Sequence, residues 1–188
     1  MYYLTKQNNR YSIQFDLKDD DNCLFKSENI LDVTKFYSKI NKILKIYTDG
    51  SCIHNGKPNA KAGIGIYIPQ LNIKISERIK GKQTNNTAEL KAIIKACSFI
   101  DETYSYVEIY TDSKYCILCC TSYGLKNHKI GWKKNISNKE LVKKIFNIFN
   151  NNKNIKIKHI KAHTNNDDED SIGNSFADKL ANLSIVVD

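Results

Sequence analysis

The sequence predicts an α/β protein built on a mixed sheet, with a small β-β-α extension in front. Three observations carry that prediction. Short apolar runs at 43–48, 63–68 and 73–79 follow one another as an antiparallel meander would. Helical and strand-like patterns then alternate, with further strands at 107–111 and 155–160. The 188 residues suffice for one ordinary domain and an appendage, and fall short of two full domains.

Taken in order, Tyr2-Tyr-Leu and Tyr11-Ser-Ile-Gln-Phe-Asp-Leu read as two strands joined by an Asn-Asn-Arg turn. A polar stretch from Lys18 to Asn22 follows, and residues 27–40 space their apolar side chains as an amphipathic helix would. Residues 1–42 therefore form an extension, and residues 43–188 the main domain. After the meander, Thr84 or Asn85 caps a helix that runs to about Ile100. That helix crosses over to the strand at 107–111, and a right-handed crossover sets this strand parallel to the one at 43–48. A helix starting at Ser113 carries Cys116, Cys119 and Cys120. Gly124 to Asn138 reads as a lysine-rich irregular segment and 139–150 as a helix. A polar loop over 164–171 precedes a last helix at 173–183.

Composition narrows the function. The chain is 41% hydrophobic and 26% charged, enough to bury a core and too apolar for wholesale disorder. Lys and Arg number 29 against 20 Asp and Glu, a balance of +9 that favours a polyanionic partner, nucleic acid first. No stretch approaches the length of a membrane span, so no membrane partner is expected. The first ten residues lack the apolar centre of a signal peptide. The six cysteines are expected as reduced thiols in an intracellular, reducing compartment. Cys116-Ile-Leu-Cys119 has no second pair at zinc spacing and reads as one buried helix face. The expected state is a monomer.

The chemistry resides in carboxylates. Asp49 and Asp112 each follow a threonine at what reads as the end of a strand. Parallel neighbouring strands would set these two acids side by side at the carboxyl edge of the sheet, where open α/β sheets bind ligands. Glu89 lies one turn into the crossover helix, and Asp178 lies in the last helix. Two unit charges about 4 Å apart repel by roughly 4 kcal/mol at an effective dielectric near 20. Such a cluster requires protons or cations. All-oxygen ligands favour a hard ion, Mg²⁺ or Mn²⁺, and two such ions can clamp the attacking and leaving oxygens of a phosphodiester.

Six pieces, in order, resemble type 1 ribonuclease H. They are Tyr47-Thr-Asp-Gly-Ser, Gly81-Lys-Gln-Thr-Asn-Asn-Thr-Ala-Glu-Leu, Tyr110-Thr-Asp-Ser, Gly131-Trp-Lys-Lys-Asn, Lys161-Ala-His-Thr and Gly173-Asn-Ser-Phe-Ala-Asp-Lys-Leu-Ala. The resemblance covers about residues 43–185. It implies a ribonuclease H-like mixed five-stranded sheet in the order 3-2-1-4-5, flanked by helices. It implies endonucleolytic hydrolysis of the RNA strand of an RNA/DNA hybrid, leaving 5′-phosphate and 3′-hydroxyl ends. It assigns Asp49, Glu89, Asp112 and Asp178 to two Mg²⁺ ions, with Mn²⁺ as a substitute. His163 takes the place of a residue that assists proton transfer or product release, a task suited to imidazole.

The same resemblance assigns substrate contacts. Asn55, Asn85 and Asn86 match minor-groove positions, where amides can both donate to and accept from a 2′-hydroxyl. Lys82, Thr84 and Asn138 match a pocket for a DNA-strand phosphate, aided by free N–H groups at a helix start. In the segment from Tyr123 to Asn135, Lys133 and Lys134 would hold phosphates, while Trp132 or Tyr123 would pack on deoxyribose. Asn174, one turn before Asp178, either orients that carboxylate or begins the last helix. The acids between 165 and 170 make the loop after His163 longer and more acidic than the family pattern, and are read either as a solvated insertion or as groups that attract cations or repel substrate near the site. Met1-Tyr-Tyr-Leu resembles the start of the hybrid-binding module that precedes many eukaryotic type 1 enzymes, whereas Asp19, Asp20 and Asp21 oppose phosphate binding. Residues 1–42 are thus read as a degenerate hybrid-binding module or as a packing extension.

Overall fold

The structure is a computed structural model that describes residues 3–7, 10–14, 23–34, 42–101, 104–162 and 167–186. The chain divides into two compact units. One comprises Met1–Ile43 with Asp101–Tyr106, the other Leu44–Ile100 with Val107–Asp188.

In the first unit, β1 (Tyr3–Gln7), β2 (Arg10–Gln14) and β3 (Cys23–Ser27) form an antiparallel sheet in that order. The sequence reading expects only two strands here. β3 is five residues long, and its register against β2 shifts between Ile13 and Gln14, an irregularity that a period-two count does not see. Residues 30–34 are helical (α1), and the Asn29 side chain accepts the Leu31 N–H at 2.9 Å. The helix expected over 27–40 starts later than predicted, since Ser27 ends β3 and residues 28–29 are not helical; residues 35–40, and Asp19 to Asp21, lie outside the described residues.

The second unit holds a five-stranded sheet made of β4 (Ile43–Ile53), β5 (Lys61–Ile68), β6 (Ile73–Arg78), β7 (Tyr106–Thr111) and β8 (Ile155–His159). Its order is β6-β5-β4-β7-β8, the 3-2-1-4-5 arrangement. β4–β5 and β5–β6 are antiparallel, whereas β7–β8 is parallel. The Thr48 hydroxyl donates to the Tyr110 carbonyl at 3.1 Å between the neighbouring strands β4 and β7.

Helices cover this sheet. They are α2 (Asn85–Ala96), α3 (Lys114–Cys120), α4 (Ser122–Lys129), α5 (Lys139–Asn151) and α6 (Glu169–Val186). Along β5, Gly63 and Gly65 face α6, so alternation turns the buried Ile64, Ile66 and Ile68 to the opposite face. α6 buries small residues, Gly173, Ala177, Ala181 and Ser184 among them. A Cβ on Gly65 would lie 1.9 Å from the Ala177 carbonyl oxygen. This near-contact of backbones seats α6 deep enough for Asp178 to reach the sheet.

Three elements differ from expectation. β4 continues through Ile53, because residues 50–53 pair with 61–64 of β5, so Asp49 is an interior strand residue. The segment expected to be irregular from Gly124 is helical to Lys129. Gly124 stands inside α4, where a Cβ would meet the Cys119 carbonyl at 2.2 Å, so this glycine marks close packing and not a break. The last helix begins at Glu169. The Asp168 carboxylate accepts the Ser171 N–H at 2.9 Å and the Ser171 hydroxyl at 2.7 Å, capping the turn that sequence analysis leaves as loop.

Cys116 and Cys119 are buried on α3, as the helix-face reading expects. Burial pushes both thiols above their ordinary pKa, Cys119 to about 11. Cys52, Cys97, Cys116, Cys119 and Cys120 are free thiols. No helix among the described residues is long and apolar enough to cross a membrane.

Candidate active site

Three acids converge. One carboxylate oxygen from each of Asp49 on β4, Glu89 on α2 and Asp112 just beyond β7 lies within 4.8 Å of the others. Local sequence explains the convergence. The Thr84 hydroxyl accepts the Thr87 N–H and starts α2, which places Glu89 on the buried face of the helix. Gly50 then lets that helix press against β4, since a Cβ at Gly50 would lie 2.2 Å from the Glu89 backbone nitrogen. The neighbours Thr48 and Thr111 are fully buried and anchor the strands on either side.

Asp178 approaches from α6. Its charge and a hydrogen bond shared with Asp49 both raise the Asp49 pKa. Burial is the larger cause and the Asp112 charge the next. Against a backbone hydrogen bond from Gly50, they push Asp49 up to about 7. Glu89 is driven well above its ordinary value, first by burial and then by Asp49 and Asp112. Its Oε2 is buried without a hydrogen-bond partner. Buried polar atoms normally find partners, and mutually repelling carboxylates call for positive charge. All-oxygen donors, one of them orphaned, fit hard divalent cations.

The surrounding residues divide. The Asn55 Oδ1 accepts the Asn85 N–H at 3.3 Å, which brings two expected minor-groove residues together at the start of α2, with Asn86 exposed beside them. The Thr84 and Thr87 hydroxyls are 2.7 Å apart, and Thr87 donates on to the Asn138 Oδ1 at 3.2 Å. Thr84 and Asn138 thus share one polar chain, and exposed Lys82 precedes it by two residues. Sequence reasoning missed Thr87, which links them. It also missed Gln83, whose Oε1 accepts the Ala62 N–H at 2.7 Å and whose Nε2 donates to the Ile79 and Gly81 carbonyls. These bonds hold the approach to α2 against β5.

Lys133 and Lys134 are exposed, and Tyr123 is half-buried on α4. Trp132 turns inward. It is 8% exposed and packs edge-on against Phe146 with centroids 6.2 Å apart, because its N–H closes the end of α4 on the Asn127 carbonyl at 2.8 Å. Its ring anchors the lysine segment on Phe146. Asn174 lies inside α6, not at its start; it is 6% exposed, and its Oδ1 is also without a partner. His163 lies outside the described residues.

Two acids of the expected acidic loop, Glu169 and Asp170, are engaged by β4. The Lys45 ammonium lies 2.7 Å from Glu169 and 3.0 Å from Asp170, and the Tyr47 hydroxyl donates to Asp170 at 2.7 Å. Glu169 and Asp170 belong to the first turn of α6, which favours negative charge. They hold the helix to β4.

Sheet, helices and carboxylates together define an α/β protein of ribonuclease H-like fold, with an acidic centre suited to divalent cations. The chain belongs to the RNase H family, whose model matches residues 41–185. It is 33% identical to rat (Rattus norvegicus) ribonuclease H1 over 156 residues, 77% of this chain and 51% of that protein. It is 36% identical over 138 residues to a probable ribonuclease H of Acanthamoeba polyphaga mimivirus, 68% of this chain and 60% of that one. The chain thus spans between half and two-thirds of these two relatives. A ribonuclease H of Ruthia magnifica is 36% identical, with 78% of this chain and 97% of that protein covered. Among solved structures, the ribonuclease H domain of prototype foamy virus superposes with a TM-score of 0.62 at 25% identity, over 76% of this chain and 93% of that domain.

Proposed function

We propose that this protein is an endonuclease that hydrolyses the RNA strand of RNA/DNA hybrids, leaving 5′-phosphate and 3′-hydroxyl ends. The reading rests on one observation. In a chain of the RNase H family, Asp49, Glu89 and Asp112 sit within coordination distance of one another, and Glu89 keeps an oxygen without a partner.

Asp49, Glu89, Asp112 and Asp178 would hold two Mg²⁺ ions, or Mn²⁺ in their place. Bound there, such ions neutralise phosphate oxygens, polarise the scissile phosphodiester and lower the pKa of water. The chain's own groups do the rest. Burial of Asp49 and Glu89 fixes their oxygens before substrate arrives. Asn55, Asn85 and Asn86 offer amides to the 2′-hydroxyls of the RNA strand. Lys82, Thr84, Asn138 and the free N–H groups at the start of α2 receive a phosphate of the DNA strand. Lys133 and Lys134 extend the grip on phosphates, with Tyr123 beside them, and this part of the affinity weakens as salt rises. His163 would assist proton transfer or product release.

The decisive experiment incubates strand-labelled RNA/DNA hybrid with the protein in Mg²⁺, in EDTA and as Asp49→Asn. RNA cleavage is expected in Mg²⁺ alone, with the DNA strand intact. Cleavage that survives chelation would eliminate the mechanism, and equal cutting of duplex DNA would eliminate the specificity.

A further inference from the structure

The Asp178 carboxylate is tied from behind. Asn182, one turn further along α6, donates its Nδ2–H to Asp178 Oδ1 at 2.9 Å. The Oδ1 of the same amide accepts the Ser51 hydroxyl at 2.6 Å. Ser51 is two residues beyond Asp49 on β4, so the three side chains form a bridge from the strand bearing one acid to the helix bearing another. Chemistry fixes the polarity of the bridge. A carboxylate only accepts, so it must face the NH₂ of the amide, which leaves the amide oxygen for the serine proton. With Oδ1 engaged, rotation of the Asp178 carboxyl breaks a charge-assisted hydrogen bond.

We propose that Asn182 is a positioning residue, which with Ser51 locks the Asp178 carboxylate at the orientation in which it and Asp49 together receive a divalent cation. This inference rests on the reading of the acidic centre as a cation site. The spacing carries it: Asn182 lies at i+4 from Asp178, where helical side chains meet, and Ser51 points to the same place from β4. Asn182 lies one residue beyond the α6 piece that carries the family resemblance, and Ser51 ends the β4 piece without a role assigned to it there. Groups that orient ligating carboxylates typically influence metal affinity or activity by about 10–100-fold. Asn182 is exposed, so its replacement leaves the core intact.

The test uses the full chain and Mn²⁺ as probe, with binding read from the electron paramagnetic resonance of free Mn²⁺ in the absence of substrate. Asn182→Ala is expected to weaken Mn²⁺ binding about tenfold and to lower kcat on hybrid comparably, with KM changed by less than about twofold. Ser51→Ala shifts both in the same direction by less, and Ser51→Thr, which keeps the hydroxyl, restores them. In an Asp178→Ala background, Asn182→Ala has no further effect, because its partner is gone. Undiminished Mn²⁺ binding by Asn182→Ala, or an equal loss with and without Asp178, overturns the lock. A wild-type protein that neither binds Mn²⁺ nor cuts hybrid refutes the cation site itself, and the lock with it. If the wild type does both and Asn182→Ala matches it, only the lock fails.

Discussion

Two groups of acids lie along α6, and they are treated in opposite ways. Asp170, in its first turn, meets the Lys45 ammonium and the Tyr47 hydroxyl. Nearby, Glu108 accepts the Tyr110 hydroxyl at 2.8 Å and pairs with Lys158. Burial raises both pKa values, but these partners outweigh it and hold both carboxyls below their ordinary range. Two turns along the same helix stands Asp178, beside Asp49. There burial and neighbouring acids act together, and Asp49 and Glu89 are pushed up. One cluster is neutralised by groups the chain itself supplies. The other contains a buried oxygen that no described group satisfies. The contrast separates acids that hold the fold from acids that await something the chain does not contain.

The sharpest way to break the contrast is to remove one charge from each cluster. Asp49→Asn is expected to abolish RNA cleavage by more than about 100-fold, since a direct ligand counts for more than the groups behind it. The chelated Asp49→Asn protein should melt no lower than wild type, because like-charge repulsion is relieved. Thermal melts in EDTA and cleavage assays in Mg²⁺ provide the two readings. A large drop in melting temperature without loss of cleavage would reverse the assignment of the clusters.

The pH dependence of stability sharpens it further. Folded Asp49 and Glu89 hold protons to higher pH than the unfolded chain does. Between the ordinary carboxylate pKa near 4 and the Asp49 value, folded protein therefore binds more protons, and stability falls as pH rises. Asp170 and Glu108 act with the opposite sign. Their contribution is present above their ordinary pKa values and is lost on acidification through the lowered ones. In EDTA the melting temperature should decline from pH 5 to pH 8. Mg²⁺ should raise it more at pH 8, where the site is charged, than at pH 5. An Mg²⁺ increment independent of pH would show that the cation binds elsewhere.

The acidic centre was legible in the sequence because its residues are local. Thr-Asp at β4 and β7 and the Thr84 cap each fix a carboxylate against a neighbouring element within a few residues. The meander and one crossover set the first four strands, and the place of the fifth comes with the family resemblance. What escaped depends on contacts between distant elements. Gly124 looks like a helix breaker until Phe146 and Cys119 are seen to occupy the space of a side chain. Which way Trp132 faces depends on Phe146, a residue fourteen positions further on in α5, and the sequence leaves both faces open. Asp168 carries a capping signal with Ser171, but it stands in a run of acids that reads as solvated loop. The partners Lys45 and Ser51 lie more than a hundred residues from the acids and the amide they engage, so no local pattern announces them.

The smallest expected effect is also the one that tests the compensated cluster directly. Asp170→Asn keeps the shape of the side chain and removes its charge. It weakens the Lys45 contact and the hydrogen bond from Tyr47 without opening a cavity. The pair is partly exposed, at 24% and 34% of side-chain surface, so solvent screens much of the Coulomb attraction. The loss should therefore be about 1 kcal/mol of stability, read from urea unfolding at neutral pH. Cleavage per folded molecule should stay within about twofold of wild type, because Asp170 is some 12 Å of helix from Asp178 at 1.5 Å per residue. In the Lys45→Met background the same substitution should cost less, since its charged partner is already absent. If Asp170→Asn instead reduced cleavage as Asp49→Asn does, the two clusters would act as one site, and their opposite electrostatics would need another cause.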